Sequence, residues 1–417
     1  MSAARPRVPL AVWMVVFGGV AAALHVGKLP PAVVALQAAL HISLVEAGFL
    51  LSLVQFAGMG LGLVAGLAAD AIGLRRCMLL GLALLSAASV LSSLAASVPH
   101  AVGWLLGWRA VEGLGFLMAS MPGPALVRRL APAGADKAAM GLWGAFMPTG
   151  VALALLVGPW VIGAGAWPVW WWGCAALSAL AALLILRLVP ADPPRVLCGA
   201  PATNGSAAPA GQRLRRTVAG RSPWLLALGF GVYSSQWIAV IGFLPTIYAE
   251  TGWPSALTAG LTAVAAALNI VGNVGGGRLL QHGWPPERLL RLGFAAMGLA
   301  SFAAFVQASG AGGTWALPLE VRYVAVCLFS LSGGMVPTTL FTLAARLAPS
   351  PDTVSTTVGL MQQGSSFGQF IAPPVVAWLA HQVGGWQWTW LATVGCCLVG
   401  LWTAGRLARQ HKEHDTP

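Results

Sequence analysis

A chain of 417 residues with 58% hydrophobic and only 8% charged side chains, and a mean hydropathy of +0.78, carries more apolar surface than a soluble fold of that length can hide. Its formal charge of +12 does not point to a nucleic-acid partner. Apart from Lys28, Arg109 and Arg322, every Lys and Arg lies in a tail or at an even-numbered connection between apolar runs. The six cysteines have neither metal-ligand spacing nor the pattern of a disulfide framework, so they read as small apolar residues and no cofactor or metal is expected.

Twelve apolar runs are long enough to cross a ~30 Å hydrocarbon core: 10–36, 46–69, 75–95, 101–127, 138–163, 168–189, 223–249, 256–280, 288–308, 321–344, 355–380 and 387–407. Backbone groups in lipid must be satisfied within the segment, so these runs are helices and the chain is an all-α membrane protein. Basic residues at the even-numbered connections place both termini in the cytoplasm, which for a bacterial chain means a multi-pass protein of the inner (plasma) membrane. The first run follows Arg5 and Arg7 as a secretory signal does, but it continues through Val26 to Leu36, too long for a signal core.

Within the first run, His25 and Lys28 stand one helical turn apart, and Pro30-Pro31 breaks the helix just above. Lys28 is about nine residues, or ~13 Å, short of the outer end. It either faces a wet, charged interior or snorkels outward along its stem. Between runs two and three stands Gly66-Leu-Ala-Ala-Asp70-Ala-Ile-Gly73-Leu-Arg75-Arg76. The two glycines permit close helix approach and a tight turn, and Asp70 can pair with Arg75, Arg76, Arg128 or Arg129, latching one conformation. Run four carries Arg109 and Glu112 at about the depth of Lys28. They form either an i,i+3 ion pair that holds helices together or a site that takes an anion and a proton, with Glu112 the best-placed intramembrane carboxylate. His25 is a second candidate proton carrier.

Trp104, Trp108, Trp167 to Trp172, Trp253, Trp315 and Trp386 to Trp390 cluster at the odd-numbered connections, as an outer aromatic belt does. Residues 190–222, Pro-, Gly- and Ala-rich and then basic at Arg213, Arg215, Arg216 and Arg221, form a cytoplasmic linker. It separates a first six-helix unit, 1–189, from a second, 223–417. The second unit offers uncharged polar groups, of which Gln236, Asn269 and Gln363 are the candidate ligand-facing residues. Some of its polar positions read as helix-packing contacts.

The two units echo each other. Arg129-Leu-Ala-Pro132, then Asp136 and Gly141-Leu142, returns as Arg346-Leu-Ala-Pro349, then Asp352 and Gly359-Leu360. Gly150 stands nine positions before Pro159, as Gly364 does before Pro373. Two such halves predict two pseudo-symmetric six-helix bundles that rock around a site held between them. An embedded enzyme needs a His-Glu-x-x-His, paired-aspartate or Cys-x-x-Cys cluster, and a channel needs a polar ring; the sequence offers neither.

The Gly66 to Arg76 loop resembles the signature of the major facilitator superfamily between its second and third helices. Arg109-Ala-Val-Glu-Gly113-Leu-Gly115 is similar to the family's fourth-helix motif, and Gly150 through Gly158-Pro159 to Gly163 to its fifth. The chain departs from the loop pattern at Ala71, where a basic residue usually follows the Asp, and at Leu74. The resemblance implies the major facilitator fold and a secondary active transporter working by alternating access, coupled to protons and acting as a monomer in the lipid bilayer. It also implies that helices one and four face the central cavity, so that Lys28 and Arg109 make it positive and favour a small anionic solute. Lys28-Leu-Pro-Pro-Ala and Gln362-Gln-Gly-Ser-Ser-Phe-Gly-Gln369 look like the cyanate and nitroimidazole transporter branch, with lysine replacing the usual arginine. The fifth-helix motif also resembles one associated with antiporters, which makes a proton-driven multidrug exporter the alternative.

Overall fold

The computed structural model describes residues 8–62, 72–132, 139, 142–192, 209–310, 313–350 and 353–415. Gly66 and Asp70 of the expected latch lie outside them. The crossing helices are α1 (Leu10–Leu40, broken at Pro30), α2 (Leu44–Gly62), α3 (Leu74–Ser97), α4 (Ala101–Leu130), α5 (Phe146–Gly165), α6 (Trp167–Leu188), α7 (Arg221–Ala249), α8 (Ser255–Gln281), α9 (Pro286–Phe305), α10 (Leu319–Leu347), α11 (Val354–Val383) and α12 (Thr389–Asp415). Eleven are long and apolar enough to cross a membrane by length and composition. The twelfth, α11, is 30 residues long and carries the Gln362 to Gln369 polar run. It packs against α7 and α2.

The expected ninth run extends to 308, but α9 stops at Phe305, and β1 (Gln307–Gly310) pairs antiparallel with β2 (Gly313–Ala316) before α10. In the linker, the basic segment folds as a helix, Ala210–Ala219. Its Thr217 hydroxyl lies 2.6 Å from that of Thr356 at the start of α11, which ties the linker to the face where α7 begins and α12 ends.

Packing explains the glycine repeat. A Cβ on Gly150 of α5 would stand 2.8 Å from the Val20 carbonyl of α1, and one on Gly364 of α11 would stand 2.6 Å from the Ala227 carbonyl of α7. Both contacts are to backbone, which cannot move aside, so each glycine lets a proline-bearing helix lie directly on its neighbour. The same sequence device thus makes the same helix pair in each bundle.

Between the bundles, the main contacts are α2 with α11 and α5 with α8. Gly48 meets the backbone of Pro374, Gln55 Nε2 donates to Gln369 Oε1 at 3.1 Å, and Gln363 Nε2 donates to the Met59 carbonyl at 2.8 Å. In the half remote from the linker, Leu29, Leu36, Leu50 and Leu51 of the first bundle share one apolar core with Ile241, Phe243 and Leu244 of the second. In the linker half, Val12, Val15, Met78, Leu82 and Ile185 of the first bundle pack as a cluster of their own.

Candidate functional site

The proline break in α1 fixes the site. Ala32 N–H donates to Leu29 O at 2.8 Å, the tightened pattern of a 3₁₀ turn, rather than to Lys28 O four residues back. The Lys28 carbonyl takes a hydrogen bond from the Trp170 indole of α6 instead, at 2.9 Å. This anchors the turn that carries Lys28 against α6.

The Lys28 side chain is fully buried, so it does not snorkel. Its ammonium donates to Ser89 Oγ of α3 at 2.8 Å, forms an ion pair with Glu112 Oε1 of α4 and lies 3.5 Å from His25 Nδ1. It sits over the Trp171 ring, 4.9 Å from the centroid, as a cation does on an aromatic face. The ammonium thus donates to Ser89 and Glu112 and lies against His25 and the Trp171 ring.

Glu112 is buried as well, and its second oxygen accepts from Arg109 Nη1 at 2.7 Å. Arg109 also donates from Nε to Leu50 O of α2 at 2.9 Å and from Nη1 to His25 O at 2.5 Å. Among the described residues its Nη2, which is buried, finds no hydrogen-bond partner. His25 bridges the cluster to α6, with Nε2 2.8 Å from Ser178 Oγ and Nδ1 3.5 Å from Glu112 Oε1. Two cationic side chains thus share one carboxylate, and with Lys28 and Arg109 charged and His25 neutral the cluster carries one net positive charge.

The four residues expected at the site in the first half, His25, Lys28, Arg109 and Glu112, are thus one connected cluster. Ser89, Ser178, Trp170 and Trp171 belong to it too, and the sequence carried no signal for the serines. Trp167, Trp170, Trp171 and Trp386 are buried within the protein, which corrects their reading as part of an aromatic belt; Trp172, Trp315 and Trp388 do face outward. In the second bundle, Gln236 is held by the Val232 carbonyl and the Cys397 thiol. Asn269 is held by Tyr233 and the Ser330 carbonyl. Neither joins the charge cluster in this conformation, and Gln363 lies on the seam between bundles.

At the linker face, a carboxylate outside the expected latch engages its turn. Asp192, just beyond α6, accepts from the backbone N–H groups of Arg75 and Arg76 at 3.1 and 3.0 Å and from Arg129 Nη1 at 2.9 Å. It caps the N-terminus of α3, where the helix dipole favours an anion. Gly73, at φ 102°, leaves room for it: a Cβ there would stand 2.6 Å from Asp192 Oδ2. Arg75 donates from its guanidinium to Leu186 O at 2.5 Å. Burial alone would raise the Asp192 carboxyl, but the Arg75 and Arg76 amides and the Arg129 guanidinium outweigh it and hold the group below the usual carboxylate range. A depressed carboxyl stabilises the fold above its unfolded value and loses that contribution as pH falls through the folded one. Asp192→Asn should therefore lower stability at pH 7 by about 1–2 kcal/mol, read as a lower melting temperature, and the difference from wild type should narrow as the pH approaches 3. A gap that does not narrow would assign the loss to packing.

The fold is similar to those of several solved transporters. A bacterial homologue of the human lysosomal transporter Spinster, inward-facing and occupied, superposes with a TM-score of 0.76 at 15% identity over 97% of each chain. A D-xylose–proton symporter gives 0.72 at 15% identity over 97% of this chain and 98% of its own. The transporter FucP in its outward conformation gives 0.64 at 20% identity over 96% and 98%. No curated protein matches the sequence. The sequence profile described as Major Facilitator Superfamily matches residues 15–363, most of the length, so this chain belongs to that superfamily: a multi-pass membrane transporter of two six-helix bundles, and not an enzyme.

Proposed function

We propose that this transporter moves a small anionic solute across a bacterial inner membrane by alternating access, with protons as the coupling ion. The observation that carries the reading is the pair of buried cations, Lys28 and Arg109, sharing the single carboxylate of Glu112. Buried intramembrane charges are costly, and a surplus of positive charge that structure alone does not require is what an anion site needs. Lys28 and Arg109 bind the anion, with His25 beside them. Glu112 and His25 are the proton carriers, and Gln363, Gln236 and Asn269 supply neutral hydrogen bonds from the second bundle once the seam parts.

The remaining assignments follow from the same frame. Residues 190–222 link the bundles, 1–189 and 223–417, on the cytoplasmic side, and the protein acts as a monomer. Gly66, Asp70, Gly73, Arg75 and Arg76 form the latch that Asp192 completes. Within the superfamily, the Lys28-Leu-Pro-Pro stretch aligns the chain with the cyanate and nitroimidazole branch. The surplus positive charge stands against the alternative of a multidrug antiporter for lipophilic cations. Thermal unfolding of the purified protein tests the choice. Small anions at saturating concentration should stabilise it by about 2.7 kcal/mol at 100 times Kd, and tetraphenylphosphonium should not. Stabilisation by tetraphenylphosphonium and by no anion would overturn the proposal.

A further inference from the structure

Resting on that anion site, a second question is which anions it admits, and the charge count answers it. Arg109 uses Nε on Leu50 O and Nη1 on His25 O and Glu112, while its Nη2, in a side chain 3% exposed, is left with no partner. A buried guanidinium N–H without an acceptor is costly, and a planar fork with one open prong suits an oxyanion. Lys28 spends its ammonium on Ser89 and Glu112 and faces His25 with the remainder. The one open donor and the one surplus charge therefore belong to the same cluster.

We infer that the open Nη2 edge of Arg109 is the seat of a monovalent oxyanion, which completes a four-charge arrangement with Lys28, Arg109 and Glu112 and brings the buried cluster to neutrality. Glu112 is then the residue that sets substrate valence. With the carboxylate in place, a monoanion leaves no net charge, whereas a dianion leaves one negative charge in a low-dielectric core, which is strongly disfavoured. A dianion fits only when one proton is added to the cluster. The groups facing Glu112 that compete for that proton or field are Lys28 and His25 of α1, Arg109 of its own helix and the Cys174 thiol of α6; α3 presents the neutral Ser89.

Malonate and its half-amide, nearly equal in size and differing by one charge at pH 7.5, are matched probes. Their affinities for the purified transporter are measured by calorimetry in two buffers of different ionisation enthalpy, which also counts protons. At pH 7.5 wild type should bind the half-amide at least ~10-fold more tightly than malonate and take up no proton, whereas malonate, a dianion in solution at that pH, should bind with about one proton taken up. Glu112→Gln, which raises the cluster charge to two, should reverse the preference in favour of malonate. Should that variant fail to fold, the wild-type preference and proton count decide the matter alone. Half-amide binding that takes up one proton, or equal affinity for both probes at pH 7.5, overturns the valence rule while leaving the anion transporter standing. Binding of neither, together with none of formate, acetate or nitrate, overturns both.

Discussion

Lys28→Met is expected to lose about 1.5–3 kcal/mol of stability. The methionine fills the lysine stem's volume but leaves Glu112 with Arg109 as its one permanent counter-charge, and it strips Ser89 Oγ and the Trp171 face of their cation. Glu112 keeps Arg109, so the pair left behind is neutral and the loss is that of the ammonium's charge-assisted hydrogen bonds rather than of a lone buried charge. Binding of small anions should weaken at least ~10-fold, at 1.4 kcal/mol per decade. Lys28→Arg should recover more binding than stability, since it restores the charge while its fork overfills a site built for one ammonium. Denaturation midpoints in detergent and anion titrations on the three proteins separate the two effects. A Lys28→Met protein as stable as wild type would mean that the Lys28–Glu112 pair adds nothing to the fold.

The sequence exposed the cluster because membrane burial makes charge conspicuous. Three of the chain's charged side chains, Lys28, Arg109 and Glu112, stand deep inside apolar runs, and helical spacing alone sets their common depth. What spacing cannot supply is direction. Lys28 was expected to look into a cavity between the bundles, whereas it is enclosed by α3, α4 and α6 of its own bundle. The turn that aims it depends on Trp170 catching a carbonyl freed by Pro30 and Pro31, a contact 142 positions away in sequence. Ser89 and Ser178 were illegible for a related reason, since a serine in an apolar helix reads identically whether it bonds its own helix or, as here, a distant lysine and a distant histidine. The glycine repeat was legible as a repeat, and its cause, two equivalent backbone contacts, became visible only with the packing. Asp192 reads as part of a linker because two of its partners are backbone amides, which leave no trace in the sequence, and the third, Arg129, lies 63 positions away.

The seam between bundles gives the other large expected effect, on conformation rather than on binding. Gly48 of α2 lies against the backbone of α11, where an added Cβ would stand 2.9 Å from Pro374 Cα and 3.1 Å from Pro373 O. Neither atom can yield by a side-chain rotation, and the two prolines cannot rejoin an unkinked helix to make room. A large side chain at Gly48 therefore destabilises the state in which the halves remote from the linker are closed. The misfit costs about 1–3 kcal/mol or more, while a state with those halves apart avoids it. At 1.4 kcal/mol per decade, Gly48→Trp should shift the conformational equilibrium by about tenfold or more and abolish transport, with the protein still folded. Paired spin labels at the remote ends of α2 and α11 should report a longer distance than in wild type, and anion binding measured from that side should persist. If the distance is unchanged and transport continues, α2 and α11 are not the elements that part, and the contacts between α5 and α8 become the seam to probe.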